Sequence, residues 1–311
     1  MLKQIIEIYE LLDDSKISGI KVAEFLKKRG LTKIKVNKIN KREGSTDFIK
    51  IIIQGTSGKQ KNGNAPTLGI IGRLGGIGAR PEKIGLVSDA DGAITALSCA
   101  LKLADMQIKG DILKGDVIIA THICPNSPIE PHEPVPFMGS PVNIDEMNRY
   151  EVDPEMDAIL SIDTTKGNRI INYRGFAITP TVREGYILRI SEDLLNIMEW
   201  TTGKLPRVLP VTTQDITPYG NGLFHLNSIM QPCTVTSSPV VGVAITSETA
   251  VPGCGTGANH IIDIEEAGRF CIEVAKAFSE KKCKFYDENE FNSILKLYGS
   301  MSILQTKGNN K

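Results

Sequence analysis

The sequence carries no excess of charge of either sign, because Lys and Arg together number 36 and Asp and Glu together number 36. A nucleic-acid-binding protein usually has a basic surface, so the charge does not favour DNA or RNA as a partner. No apolar run approaches the length of a membrane span, and residues 1–16 lack the apolar stretch of a secretory signal. We therefore expect a cytoplasmic protein with no membrane partner.

Closely paired cysteines are also missing, since none of the six cysteines forms a CxxC pair. Scattered cysteines fit reduced thiols in a cytoplasmic protein better than a disulfide framework. Histidine is scarce, and an imidazole site must draw on four residues: His122, His132, His225 and His260.

Apolar spacing alternates between strand-like and helix-like segments along the chain. Short apolar runs predict strands at 48–53, 67–71, 84–87, 117–120, 158–162, 170–173, 207–213 and 239–246. Helical spacing predicts helices at 2–12, 20–30, 192–200, 264–280 and 289–298, with another after Asp91. This alternation predicts a three-layer α/β/α sandwich around a mostly parallel or mixed central sheet. We interpret residues 1–311 as a single α/β domain with a proline-rich loop at 124–141.

Carboxylates lie at two predicted strand ends. Asp89 and Asp91 follow the run at 84–87 and precede a helix, and Asp163 follows the run at 158–162. Strand C-termini and helix N-termini converge where open α/β sheets build their sites. The alternative is that Asp89 and Asp91 only cap the helix N-terminus, where negative charge is stabilised.

Two histidines have positions that fit the same edge. His122 comes just after the run at 117–120, and His260 precedes the last long helix. Together with Asp89 and Asp163 they are candidate ligands for a divalent metal such as Zn, Mn or Co. The candidate catalytic carboxylates are Asp91 and Glu133, and Glu130 in the proline-rich loop is an alternative general base.

Two Gly-rich loops are candidates for substrate binding. GRLGGIGAR carries Arg73, whose guanidinium could bind a substrate carboxylate, although an exposed tight turn is the alternative. GCGTGAN precedes a helix and could bind an anion through backbone N–H groups at Gly255 and Gly257, with Asn259 beside them. Neither loop has the spacing of a dinucleotide or phosphate loop.

Several segments resemble a known superfamily. SDADGAITALSCALKLA, AILSIDTTKGN and PVVGVAIT followed by HIIDIEEAGRF occur in the order found in the zinc aminopeptidase and carboxypeptidase superfamily. The match over residues 2–278 is closest to the glutamyl-aminopeptidase-like branch. The resemblance implies a phosphorylase/hydrolase-like core, a bridging aspartate at Asp89, a metal-binding aspartate at Asp163, and self-association as a homo-oligomer.

The chain also resembles, over nearly its whole length, a bacterial family of unknown function (domain of unknown function family 1177). CPNSPIEPHEPVPFMGSPV and TTQDITPYGNGLFHLNSIMQP carry this likeness. It implies no particular activity.

The sequence departs from the superfamily at three motifs. Gly72-Arg73-Leu74-Gly75 stands where a His-x-Asp pair is expected, and His122, Cys124 and Pro125 stand where tandem glutamates are expected. The last ligand histidine would fall near Thr256, four residues before His260. The resemblance therefore implies a remodelled metal site.

Three hypotheses follow. The first is a divalent-metal-dependent hydrolase that cleaves amide bonds in short peptides or acylated amino acids. The second is a non-catalytic protein that binds a small anion or peptide on a degenerate peptidase scaffold. The third is a cysteine-based enzyme in which His122 activates Cys124, for which the alternative is a buried, inert thiol.

Overall fold

The structure is a computed structural model that describes residues 1–73, 75, 77, 86–125, 127, 129–131, 137–248 and 259–309. Its helices are α1 (Leu2–Leu12), α2 (Gly19–Lys28), α3 (Asp91–Ile108), α4 (Ile144–Glu151), α5 (Glu192–Thr202), α6 (Ile261–Ser279) and α7 (Glu288–Tyr298). Its strands are β1 (Ile34–Lys41), β2 (Gly44–Ile53), β3 (Leu68–Gly72), β4 (Val117–Ile123), β5 (Ile129–Glu130), β6 (Phe137–Met138), β7 (Ala158–Thr164), β8 (Gly175–Ile178), β9 (Val182–Arg183), β10 (Tyr186–Ile187) and β11 (Val240–Thr246).

The central sheet of the described residues has nine strands, ordered β1-β2-β4-β3-β7-β11-β9-β10 with β8 also paired to β11. The four middle strands β4, β3, β7 and β11 run parallel, and they are buried on both faces. Strands β1, β2, β8, β9 and β10 add antiparallel pairs on either side. The sheet is therefore mixed, with a parallel centre, as predicted.

The two faces of the sheet carry different layers. Helices α1, α3 and α6 pack together on one face, around a core to which Leu97, Leu160 and Phe270 belong. The other face is covered by α4 and by short 3-10 segments, of which Ser228–Thr234 packs on β7 and β11. The three layers of the predicted α/β fold are present, with one outer layer built mainly from short segments.

Most predicted helices and strands are found within a few residues of their expected bounds, but two predicted strands are wrong. Residues 170–173 form no strand, because the place beside β11 is taken by β8, and Ile170 is exposed. Residues 207–213 contribute only an isolated bridge from Val208 to Ile178. The predicted strand at 84–87 lies partly outside the described residues, and Leu86 forms only a bridge with Ile77.

The proline-rich stretch contains the strands β5 and β6, which pair with each other in a separate two-stranded sheet. Much of the rest of this stretch lies outside the described residues, including His132 and Glu133. No helix in the described part of the chain is long and apolar enough to cross a membrane.

Candidate functional site

Three ionisable side chains stand side by side at the carboxyl edge of the parallel strands. The register pairs Thr121 with Gly72, and Gly72 with Ile162. The residues that follow are His122, Arg73 and Asp163, all buried. Side chains alternate between the two faces of a sheet, so these three point to the face that α4 covers. The edge thus holds a buried polar row.

Glu151, the last residue of α4, joins two members of this row. One carboxylate oxygen contacts His122 Nδ1, and the other lies 3.0 Å from Arg73 Nε. Arg73 also donates to the side-chain oxygen of Asn148. A buried charge is tolerated when it is paired and hydrogen-bonded, and Arg73 has both kinds of partner.

The contacts of Arg73 with Glu151 and Asn148 bear on both interpretations of this residue that the sequence allowed. The guanidinium is fully buried, and it is bound to Glu151 and Asn148. Residues 72–73 therefore do not form the exposed turn of the alternative interpretation. Its Nε and one terminal nitrogen are engaged inside the protein, and its role in binding a substrate carboxylate stays a prediction.

His122 keeps one ring nitrogen available. A carboxylate can only accept, so the contact with Glu151 favours a proton on Nδ1, and in that neutral tautomer Nε2 is the acceptor nitrogen. Nε2 is buried and has no hydrogen-bond partner within the described part of the chain. An oriented imidazole of this kind suits a metal ligand or a proton acceptor.

Asp89 approaches Asp163 because α3 begins very close to the sheet. Asp89 lies in a 3-10 turn, Ser88–Ala90, directly before α3. A Cβ atom on Gly92 would lie 2.4 Å from the backbone oxygen of Arg73 and 2.7 Å from that of Ile162. Only glycine permits this approach, which brings the acidic turn to the strand ends.

Asp163 and Asp89 resist ionisation. Burial raises the pKa of Asp163 to about 6, although hydrogen bonds from Ser228 Oγ (2.6 Å) and the Thr164 N–H (2.7 Å) oppose the shift. Burial raises the pKa of Asp89 well above its usual value, and the charges of Asp163 and Asp91 raise it further. Asp89 forms no ion pair with any residue that the structure describes.

Both carboxylates line a cavity of about 680 Å³. This volume suits a small ligand. Its other lining residues are Gly139, Ser140, Val142, Asn143, Ile144, Asp145, Met147, Thr164, Tyr219, Gly220, Leu226, Asn227, Ser228 and Lys307. Asp89 and Asp163 thus face a shared space.

Asp91 belongs to a different arrangement. One carboxylate oxygen lies 2.8 Å from Lys166 Nζ, and the other accepts a 2.5 Å hydrogen bond from Asn259 Nδ2. Asn259 also donates to the backbone oxygen of Val87. Burial raises the pKa of Asp91, against the opposing effects of Lys166, Asn259 and His260. Asp91 and Asn259 therefore bind each other, and neither is among the residues that line the cavity; their catalytic and substrate-binding roles stay predictions.

The predicted metal ligands are only partly brought together. Asp89 and Asp163 share the cavity, and His122 points to the same face as Asp163. His260 is exposed at the start of α6 and interacts electrostatically with Asp91. Among the described residues, no group of three or more His, Cys, Asp or Glu side chains is arranged to hold a metal ion.

Three predicted site residues lie outside the described residues: Glu133, Gly255 and Gly257. Their roles remain predictions.

Cys124 does not have the properties of an activated nucleophile. Its sulfur lies 3.2 Å from Thr46 Oγ1, and burial raises the pKa of the thiol to about 12. A nucleophilic cysteine needs a lowered pKa, so that the thiolate forms near neutral pH. This environment favours the inert thiol over the cysteine-based enzyme.

Sequence reasoning missed Glu151, Asn148 and Ser228. Glu151 and Asn148 are on α4, which begins with a capping box in which Asn143 Oδ1 accepts from the Glu146 N–H at 2.8 Å. The spacing Asn-x-x-Glu is a recognised helix-start signal and could have predicted this helix. No local signal pairs Glu151 with His122 or Arg73.

A family model described as "Protein of unknown function (DUF1177)" matches residues 37–308. No protein of curated function matches the chain.

Solved aminopeptidases resemble the fold. A cytosol aminopeptidase from Coxiella burnetii is similar with a TM-score of 0.54 and 15% identity, over 91% of this chain and 69% of that chain. The LapA aminopeptidase of Legionella pneumophila gives a TM-score of 0.46 and 11% identity, over 92% of this chain and 70% of that chain. At this identity the first likeness establishes a shared fold alone, and the second is too weak to support an argument.

Proposed function

The chain belongs to this family of unknown function, and we propose that it is a hydrolase of amide bonds in short peptides or acylated amino acids. In this proposal Asp89 and Asp163 hold one divalent cation on an aminopeptidase-like scaffold. The proposal depends on one observation: two buried carboxylates with raised pKa values line the same cavity.

The electrostatics of the pair favour a cation. Two carboxylates that are removed from water and repel each other are costly to ionise. A divalent cation between them would offset both the burial and the repulsion. Lys166 only partly offsets the repulsion at Asp89, and its ammonium lies on Asp91.

The donor atoms favour a hard ion. Manganese and magnesium prefer oxygen ligands, and magnesium often binds through one or two carboxylates while keeping several waters. Zinc more often uses imidazole or thiolate, and the imidazole nitrogen on the same face as Asp163 is His122 Nε2. We therefore favour Mn²⁺ over Zn²⁺ or Co²⁺. When bound, the ion would polarise the substrate carbonyl and acidify a water molecule.

Other residues of the cavity would position the reacting groups. Ser228 holds Asp163 by donating to its carboxylate. Burial raises the pKa of Tyr219, and the charges of Asp163 and Asp215 add to this effect. The phenol therefore stays protonated, and it would donate a hydrogen bond to the substrate carbonyl. Glu133 is our proposed general base.

Elemental mass spectrometry of untagged protein, purified without chelator, tests the proposal first. We expect about one divalent ion per chain after incubation with MnCl₂, and its loss in Asp89→Asn and Asp163→Asn. An Asp116→Asn variant is the matched control, because Asp116 is a buried aspartate that bonds Gly55 and Gln60 just before β4, at the opposite end of the strand. Hydrolysis of N-acetyl amino acids and dipeptides should follow the metal content. A wild-type protein that binds no metal would contradict the proposal.

The second hypothesis, a non-catalytic binding protein, draws support from Arg73, which stands where the superfamily's first ligand pair is expected. A fully buried guanidinium supplies a permanent positive charge near Asp163 without any metal. Ligand binding by calorimetry that is insensitive to chelator, together with an absence of hydrolysis, would favour this alternative.

A further inference from the structure

The segment after α7 returns to the cavity and is attached there. Leu304 packs against the core on the α4 face. Gln305 Nε2 donates to the backbone oxygens of Cys233 (2.7 Å) and Thr236 (2.8 Å). Cys233 belongs to the same 3-10 segment that supplies Ser228 to Asp163. The position of the following residues is therefore tied to the site.

Lys307, two residues after this attachment, lines the cavity that Asp89 and Asp163 also line. Its ammonium lies beside Gly220, 3.7 Å from where a Cβ atom of that residue would be. The side chain is exposed, and no carboxylate among the described residues forms an ion pair with it. The cavity is thus lined by one lysine without a direct ion pair among the described residues and by three carboxylates, Asp89, Asp145 and Asp163.

The remaining lining gives the cavity an apolar side. Val142 and Met147 are buried there, and Ile144 and Leu226 also contribute. A ligand that satisfies the whole cavity needs an apolar group, a negative charge for Lys307 and a polar centre near the aspartates. Convergent polar groups on an apolar wall are the usual basis of orientation in small-molecule sites.

We propose that Lys307 determines specificity by binding a free carboxylate of the substrate. This inference rests on the proposed function and refines it. The preferred substrates are then N-acylated amino acids, or peptides whose terminal carboxylate lies next to the bond that is cleaved. Because Lys307 repels ammonium groups, a substrate that places its amino group against Lys307 is disfavoured.

Calorimetric titration with two matched probes tests the inference. N-acetyl-L-leucine carries the carboxylate, and N-acetyl-L-leucinamide replaces it with a neutral carboxamide. We expect wild-type protein to bind the acid roughly three- to tenfold more tightly than the amide, the range of a charge-assisted contact at a partly exposed site.

Variants assign this preference to one side chain. Lys307→Gln should remove the difference between the probes, and Lys307→Arg should keep most of it. Lys38→Gln is the matched control, because it removes an exposed lysine on β1 that forms no ion pair within the described residues. Equal affinities for the two probes in wild type, no measurable binding of either, or an acid preference that survives Lys307→Gln would each overturn the inference.

A parallel titration with MnCl₂ separates this inference from the proposed function. Mn²⁺ should bind Lys307→Gln as it binds wild type, because Lys307 is not a proposed ligand. If Mn²⁺ fails to bind wild type while the acid preference depends on Lys307, the metal proposal fails and the carboxylate site stands. If Mn²⁺ binds wild type and the acid preference is absent, the carboxylate site fails and the metal proposal stands.

Discussion

Asp163 and Asp89 are carboxylates whose ionisation is opposed by their surroundings. Asp163 is held in the sheet edge by Ser228 and Thr164, so it cannot move to water to ionise. The free-energy cost of ionising Asp163 in the folded protein therefore lowers the stability of the fold at neutral pH.

In metal-free protein, the free energy of unfolding should fall as the pH rises from about 4 to about 6 through Asp163. Its pKa is about 6 in the folded protein against a usual 3.8, so the folded state binds more protons in this window. A shift of this size corresponds to about 3 kcal/mol. Urea titrations at several pH values measure the slope. Asp163→Asn should flatten it, and an unchanged slope in that variant would show that another group titrates.

Glu151 is the second residue whose contacts support a prediction about stability. Glu151→Gln leaves Arg73 buried without its carboxylate, so we expect a loss of about 3 kcal/mol or more. Arg73→Met combined with Glu151→Gln should recover part of this loss. Chemical denaturation of the two single variants and the double variant measures the coupling. Arg189→Gln, which breaks an exposed pair with Glu290, is the control and should change stability little. Strictly additive losses would contradict the pairing.

The sequence predicted these residues unequally. Asp89 and Asp163 could be predicted, because a strand end and a strand-to-helix turn in a parallel sheet must converge on one edge. The environment of Arg73 could not, because it depends on Glu151, which lies 78 residues further along the chain. Such a pairing is decided by tertiary packing and leaves no local pattern.

At the scale of elements, α4 controls one wall of the site. It carries Met147, Asn148 and Glu151, and it is only eight residues long. A helix this short is marginal alone, so its cap and its packing must maintain it.

Asn143→Ala should therefore destabilise the protein by about 1 kcal/mol, because it removes the side-chain acceptor for the Glu146 N–H. Asn143→Asp keeps an acceptor at the same place and serves as the control. Urea denaturation measures both variants. If the alanine variant matched wild type, α4 would be held by its packing rather than by its cap.

The elements themselves were predictable to different degrees. The parallel strands were found because both faces are buried, which gives continuous apolar runs. Helix α4 was missed because its sequence, IDEMNRYE, is mostly polar and follows the proline-rich stretch. Residues 170–173 were misassigned because an apolar run does not reveal that β8 already occupies the neighbouring position on the sheet.

At the scale of the whole molecule, binding at the cavity should stabilise the fold by mass action. The free energy of unfolding should rise by about 2.7 kcal/mol when Mn²⁺ is a hundredfold above its dissociation constant. Thermal denaturation with and without MnCl₂ at neutral pH measures this as a rise in Tm.

Variants test whether the rise in Tm comes from Mn²⁺ bound at this cavity. In Asp89→Asn the metal-free protein should be as stable as wild type or more so, because the buried repulsion is relieved, and Mn²⁺ should no longer raise Tm. Asp116→Asn should lower Tm but keep the increment from Mn²⁺. A similar increment in Asp89→Asn would place the metal elsewhere.

The outermost strand β1 has a consequence for assembly. It ends the strand order on one side, and it carries Lys35, Lys38 and Lys41. Lysines on an edge strand discourage a second chain from adding to the sheet, because like charges would meet along the new pair. The homo-oligomer that we expect should therefore form through a surface other than the β1 edge. The same lysines should also disfavour edge-to-edge aggregation along β1.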